Sequence, residues 1–237
     1  MRFLTGWGAV AQVAVVALAT GCANGGTERT LSEGDLRRIV TVRPMTPGWS
    51  WPQEPTLPDL RRSDVPSPTA ETASPTNADP LTGALDKGIV DAGGVVIADG
   101  ARWQDEQKLG VTLAMQFKGA AGAATVLAGQ RAFQRGWVER TLGSGHFTDV
   151  LVEGLGEEAW RVQSDFPGGQ EVTYGWRRAS LTLQLHIQCI FQTCPSDISL
   201  AARAWADAID KEAVGAIDGH AGVSPPTDQL SVRGRST

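Results

Sequence analysis

His186, Cys189 and Cys194 fall within nine positions of one another in LQLHIQCIFQTCP (183–195), in a chain with only three histidines and three cysteines. Those residue types at that spacing could hold zinc, exchange electrons as a dithiol, or form a structural disulfide. A structural zinc site takes four ligands, and strand alternation removes the nearest one. Leu181, Leu183, Leu185, Ile187 and Cys189 share one face of the strand, while His186 lies on the other. A redox pair is normally C-x-x-C, tighter than the four-residue gap here. What remains is a disulfide from Cys189 to Cys194, closing a ring so small that it contributes only about 2 kcal/mol. No metal site and no cofactor are expected.

Other chemistry is thinly supplied. His146 lies in GSGHF, a turn before a strand, and His220 in a polar C-terminal stretch. Ser144 stands between glycines without the G-x-S-x-G spacing of a nucleophile elbow. There is no phosphate-binding loop, dinucleotide fingerprint, H-E-x-x-H or calcium loop. Glu157 and Glu158 are adjacent on a strand and point to opposite faces, so they cannot act as a glycosidase pair. The expected protein is non-catalytic. The alternatives are an envelope hydrolase assembled in three dimensions around His146 or His186 as base, and a purely structural envelope protein.

The third cysteine concerns the address of the chain. Residues 1–21 carry Arg2, an apolar run of Ala, Val and Leu, and then small residues, the order of a secretory signal. The run is shorter than the roughly 20 residues a spanning helix needs. It ends in Leu18-Ala19-Thr20-Gly21-Cys22, a bacterial lipobox pattern in which Cys22 is acylated and becomes the mature N-terminus. Each buried methylene of such an anchor contributes about 0.8 kcal/mol, so the expected location is the outer face of the cytoplasmic membrane. With Cys22 lipidated, the remaining two cysteines pair in an oxidising compartment. A formal charge of −5 without Lys/Arg runs excludes nucleic acid as partner. The expected partners are the membrane, through the anchor, and a small molecule, lipid, glycan or protein.

The elements around these residues follow from composition and period. Residues 22–79 read as a Pro/Ser/Thr-rich tether, with seven prolines between Trp51 and Pro80. A short helix is expected near 32–42, with Ser32 as N-cap and Leu36, Ile39 and Val40 on one face. The globular domain is expected over 80–216 and a disordered tail over 217–237. Within the domain, Leu109, Val111, Leu113, Met115 and Phe117 alternate with small or polar residues as in a half-buried strand. A helix with Val126, Leu127, Phe133 and Trp137 inward follows, and then four strand-like runs separated by turns. The last element is a helix capped by Ser196 or Asp197, with Ile198, Ala201, Trp205, Ala208 and Ile209 as its apolar stripe. This order is that of an α+β domain: one antiparallel sheet of about five strands, mainly a meander, with helices packed on one face.

The runs VEGLGEEAW (152–160) and CPSDISLAARAWADAID (194–210) resemble exported actinobacterial lipoproteins and extracytoplasmic sensor-type domains, in which a GLG turn joins two strands and a helix follows a late cysteine. The resemblance covers roughly residues 80–215. It implies a cell-envelope domain that senses or binds, and it carries over no catalytic residue. If the apolar strand residues all face the helices, Arg161, Arg177, Gln184 and His186 lie together on the opposite face with several amides. That set could hydrogen-bond an anionic or sugar-like ligand.

Overall fold

The computed structural model describes residues 30–44, 49–57, 88–143, 147–166, 168–190, 194 and 197–219. The fold is α+β. One antiparallel sheet contains β1 (Ile97–Gln104), β2 (Lys108–Gln116), β3 (Phe147–Leu151), β4 (Glu158–Phe166), β5 (Gly169–Arg178) and β6 (Leu181–Ile190). Their order is β1-β2-β6-β5-β4-β3. β3 to β6 are the expected meander, and β2 pairs with β6 in register Val111↔His186. The named helices are α1 (Glu33–Val40), α2 (Ala120–Leu142) and α3 (Ile198–Gly219).

The sheet has six strands where about five were expected, because β1 does not announce itself. Its inward residues are Ile97, Asp99, Ala101 and Trp103, so an acid and an alanine interrupt the apolar alternation. Asp99 is buried because the Arg37 guanidinium of α1 bonds it.

The helices cover both faces rather than one. On the front, α1 and α3 lie over β1, β2, β6 and β5; on the back, α2 lies over β3 to β6. Two tryptophans on neighbouring strands mark the division. Trp160 of β4 donates to the Leu127 carbonyl of α2 at 3.2 Å, whereas Trp176 of β5 donates to Asp210 of α3 at 3.1 Å. β5 is accordingly buried along most of its length on both sides. On α2, Val138 is buried and the expected inward Trp137 is exposed.

The front face also corrects the domain boundary. Residues 30–57 were expected in the tether, yet their described part is packed into the fold. Ser32 and Asp35 form a reciprocal capping box at the start of α1. Leu36, Ile39 and Val40 are then wholly buried in the same core as Trp176 and Trp205. The Leu31 amide donates to Gln116 Oε1 (2.8 Å), Thr112 Oγ1 to the Val40 carbonyl (2.6 Å), and Trp205 Nε1 to the Val42 carbonyl (2.9 Å). Trp51 packs on Trp205 with ring centroids 5.5 Å apart, and Thr56 makes an antiparallel bridge with Arg102 on the β1 edge. The folded unit therefore includes residues 30–44 and 49–57. The signal segment, Cys22, the Pro-rich interval 58–79 and the expected tail from 220 lie outside the described residues, as do Ser144, His146 and Ser196; the first residues of the expected tail, 217–219, belong to α3.

The GLG motif is a structural turn. Gly154 (φ +69°) and Gly156 (φ +62°) adopt left-handed conformations that bracket the buried Leu155. A Cβ on Gly156 would stand 2.6 Å from the Arg177 carbonyl. Arg203 of α3 donates to the carbonyls of Glu153 and Gly154, tying the turn to the helix.

Candidate functional site

Strand register decides which polar side chains meet. Arg161 stands opposite Tyr174, and Tyr174 opposite Leu185, which places Arg161 on the front. Arg177, Gln184 and His186 are on the back. The four residues expected on one face are thus divided between two. The Tyr174 hydroxyl donates to the Ser199 carbonyl at the start of α3 (3.1 Å); burial raises the Tyr174 pKa and the neighbouring Arg161 acts in the opposite direction. Arg177 is committed to the end of the sheet, where it bonds Glu157 at 2.6 Å and the Ala179 carbonyl at 3.2 Å.

The back of the sheet has rows of its own. One runs Thr173, His186, Val111, Arg102 from β5 to β1; the rows beside it run Glu171, Gln188, Leu109, Gln104 and Gly175, Gln184, Leu113, Gly100. α2 covers the β3 to β6 side of these rows. On the β1 and β2 side, Ile89, Ala92 and Val95 pack with Ala98, Leu113 and Met115 towards the Gln116 end, and none of the named helices lies over Arg102, Gln104, Leu109 and Val111. Under α2 two polar pairs form: Glu171 accepts from Ser164 Oγ at 2.7 Å, and Thr173 Oγ1 bonds His186 Nδ1 at 2.9 Å. Arg102, Gln104, Gln184 and Gln188 have no side-chain hydrogen bond or ion pair among the described residues, and His186 makes only its bond to Thr173. Leu109 and Val111, half-buried, form the apolar floor between them. At the hairpin end the strip opens into a groove of about 270 Å³, lined by Arg102, Gln104, Glu106, Leu109, Gln188 and Ile190.

No family model and no curated protein matches the chain. Among solved structures it is similar to the extracellular domain of PknH from Mycobacterium tuberculosis. That match has 13% identity, covers 78% of this chain and 92% of that one, and has a TM-score of 0.36. So low a score carries no argument about fold or function.

The cysteines of the sequence motif are joined, with Cα atoms 5.3 Å apart, at the same end of the sheet as the groove. Cys189 is on the front and His186 on the back, so the two do not share a site. No group of three or more His, Cys, Asp or Glu among the described residues is placed to hold a metal ion, and no helix among them is long and apolar enough to cross a membrane.

Sequence reasoning missed Arg102 and Gln104, since β1 went unrecognised, and it set Leu109 and Val111 against a helix. The one available signal was the run of amides on β6, Gln184 and Gln188, flanking His186.

Burial makes the two ionisable groups of the back face opposites. It lowers His186 to about 4 and raises Glu171, whose bond from Ser164 offsets part of the rise. Below its ordinary value near 6.5, His186 takes up a proton in the unfolded chain before the folded one, so folding stability falls as pH drops from about 6.5 to 4. Glu171 acts oppositely, losing stability as pH rises through its own range. Urea unfolding at pH 6.5 and 4 is expected to show His186→Gln losing less stability than the parent. The difference is up to about 3 kcal/mol, smaller in proportion to the water reaching the ring. Equal losses would show that the imidazole is not packed as described.

Proposed function

We propose that this chain is a lipid-anchored, extracytoplasmic binding module without catalysis, and that its ligand lies on the back of β1, β2 and β6 at the hairpin end, where none of the named helices lies over the sheet. The observation that carries the site is the convergence around an apolar floor of polar groups that, His186 apart, have no side-chain partner among the described residues. Arg102, Gln104, Gln188 and the His186 ring surround Leu109 and Val111. That is the composition of a ligand site, apolar contact area with a few polar groups to fix orientation. The signal segment, the lipobox cysteine and the Cys189–Cys194 disulfide support the address, because disulfides persist where the compartment is oxidising.

The chemistry on the strip suits a sugar bearing a carboxylate. Arg102 supplies a planar cationic fork, the glutamines donate to and accept from hydroxyls, and the leucine and valine seat a pyranose face. A glucuronate-containing oligosaccharide titrated into the mature chain is expected to shift the side-chain amide resonances of Gln104, Gln184 and Gln188. Arg102→Ala is expected to weaken binding about tenfold or more, from the 1.5–3 kcal/mol typical of a charged hydrogen bond. Shifts confined to other residues, or an Arg102→Ala chain that binds unchanged, would remove the site.

A further inference from the structure

We infer that the docked N-terminal segment fixes which end of the domain meets the membrane, so that the groove of the back strip opens away from the bilayer. This rests on lipidation of Cys22, proposed above. The partner surface is the bilayer itself.

The inference comes from where the chain enters the fold. Leu31 is buried, its amide is held by Gln116 Oε1, and the capping box of α1 follows at once. Gln116 is the last residue of β2 and pairs with Ile97 and Leu181, so entry is at that end of the sheet. From there α1 runs back along β2. Its bonds come first from Thr112, at Val40, and then from Trp205, at Val42; Trp51 lies beyond, against Lys108. The groove lies at this opposite end, about 27 Å along the strand.

Only eight peptide units separate Cys22 from Thr30, a span of at most about 29 Å when fully extended. A stalk reaching to residue 79 would have let the domain stand far from the surface and turn freely. With residues 30–44 and 49–57 docked, the length of chain between the anchor and the fold is that of residues 22–29, and the Pro-rich interval follows this attachment in sequence. The Gln116 end is held within one short leash of the headgroups, and the hairpin end carries the groove outward. A ligand reaching the groove would come from the side of the envelope facing away from the membrane.

Energy transfer to a headgroup acceptor tests this. The lipidated full chain is reconstituted in phosphatidylcholine vesicles containing a rhodamine-headgroup lipid, with a donor dye at Lys118→Cys or at Glu106→Cys. Both positions are exposed and lie at opposite ends of β2. Transfer at Lys118→Cys is expected to exceed that at Glu106→Cys by about twofold or more, given a separation comparable with the leash. Twenty Gly/Ser residues inserted between Gly25 and Gly26 are expected to shrink the difference, because such a linker behaves as a flexible coil. A lipidated chain with equal transfer at both positions, or with stronger transfer at Glu106→Cys, would overturn the orientation alone. A chain whose mass shows no lipid, and whose transfer matches that of Cys22→Ser, would overturn the anchor and the orientation with it.

Discussion

A chain beginning at residue 80, where composition alone places the start of the domain, is expected to lose the cooperative thermal transition that a Cys22→Ser chain retains. The truncation removes Leu31, Leu36, Ile39, Val40 and Trp51, all buried in the front core. At about 1.5–3 kcal/mol for each large apolar side chain, their burial is worth on the order of 10 kcal/mol before the cost of ordering the segment is counted. A whole domain has a net stability of about 5–15 kcal/mol, so even half of that gross figure decides whether it folds. Three more losses follow. Gln116 loses the Leu31 amide, Asp99 loses Arg37, and Trp205 Nε1 loses the Val42 carbonyl, each a buried or half-buried polar group left without its partner. Circular dichroism melts and tryptophan emission check the outcome: the truncated chain is expected to melt without a sharp transition and to emit to the red as Trp205 meets water. Identical melts for the two chains would show that residues 30–57 decorate the domain rather than complete it.

How much of this was legible depended on whether the signal was local. α1 and α3 were readable because cap, stripe and length sit within one short window: Ser32 with Leu36, Ile39 and Val40, and Asp197 with Ile198, Trp205 and Ile209. The Asp197 carboxylate indeed accepts from the Leu200 amide. β2 was readable as a strand, yet its alternation indicated the wrong side. Leu109, Val111 and Leu113 are half-buried, while Gly110, Thr112, Ala114 and Gln116 are buried. A period of two reports that there are two faces and leaves to side-chain size the choice of the inner one. Here size misleads, because the bulk of the front core arrives from elsewhere in the chain, as Trp51 and Trp205, and needs small residues beneath it. Thr112 and Gln116 are inside because they bond the backbone of residues 31–40, far away in sequence. The split of Arg161 from His186 has the same origin. Alternation within one strand separated His186 from Cys189 correctly, but relating β4 to β6 requires the register of two ladders, and no short window contains it.

Trp205 is where that long-range packing can be measured. Its ring lies over β2, between Trp51 and Trp103 at centroid distances of 5.5 and 6.3 Å. A Cβ added to Gly110 would stand 2.7 Å from it and 3.2 Å from the Trp51 ring. Trp205→Ala is expected to lower stability by about 3–5 kcal/mol, through lost contact and a cavity the surrounding strands cannot close. Gly110→Val is expected to cost about 1–3 kcal/mol for the opposite reason, overpacking against a ring that has nowhere to move. Both changes in one chain should not add. With the indole gone, the valine occupies part of the space it vacated, and the double variant is expected to be no less stable than Trp205→Ala alone. Urea denaturation of the four chains gives the coupling directly. Strict additivity would mean that the ring does not rest on Gly110, and the explanation for why β2 turns its smaller residues inward would fall with it.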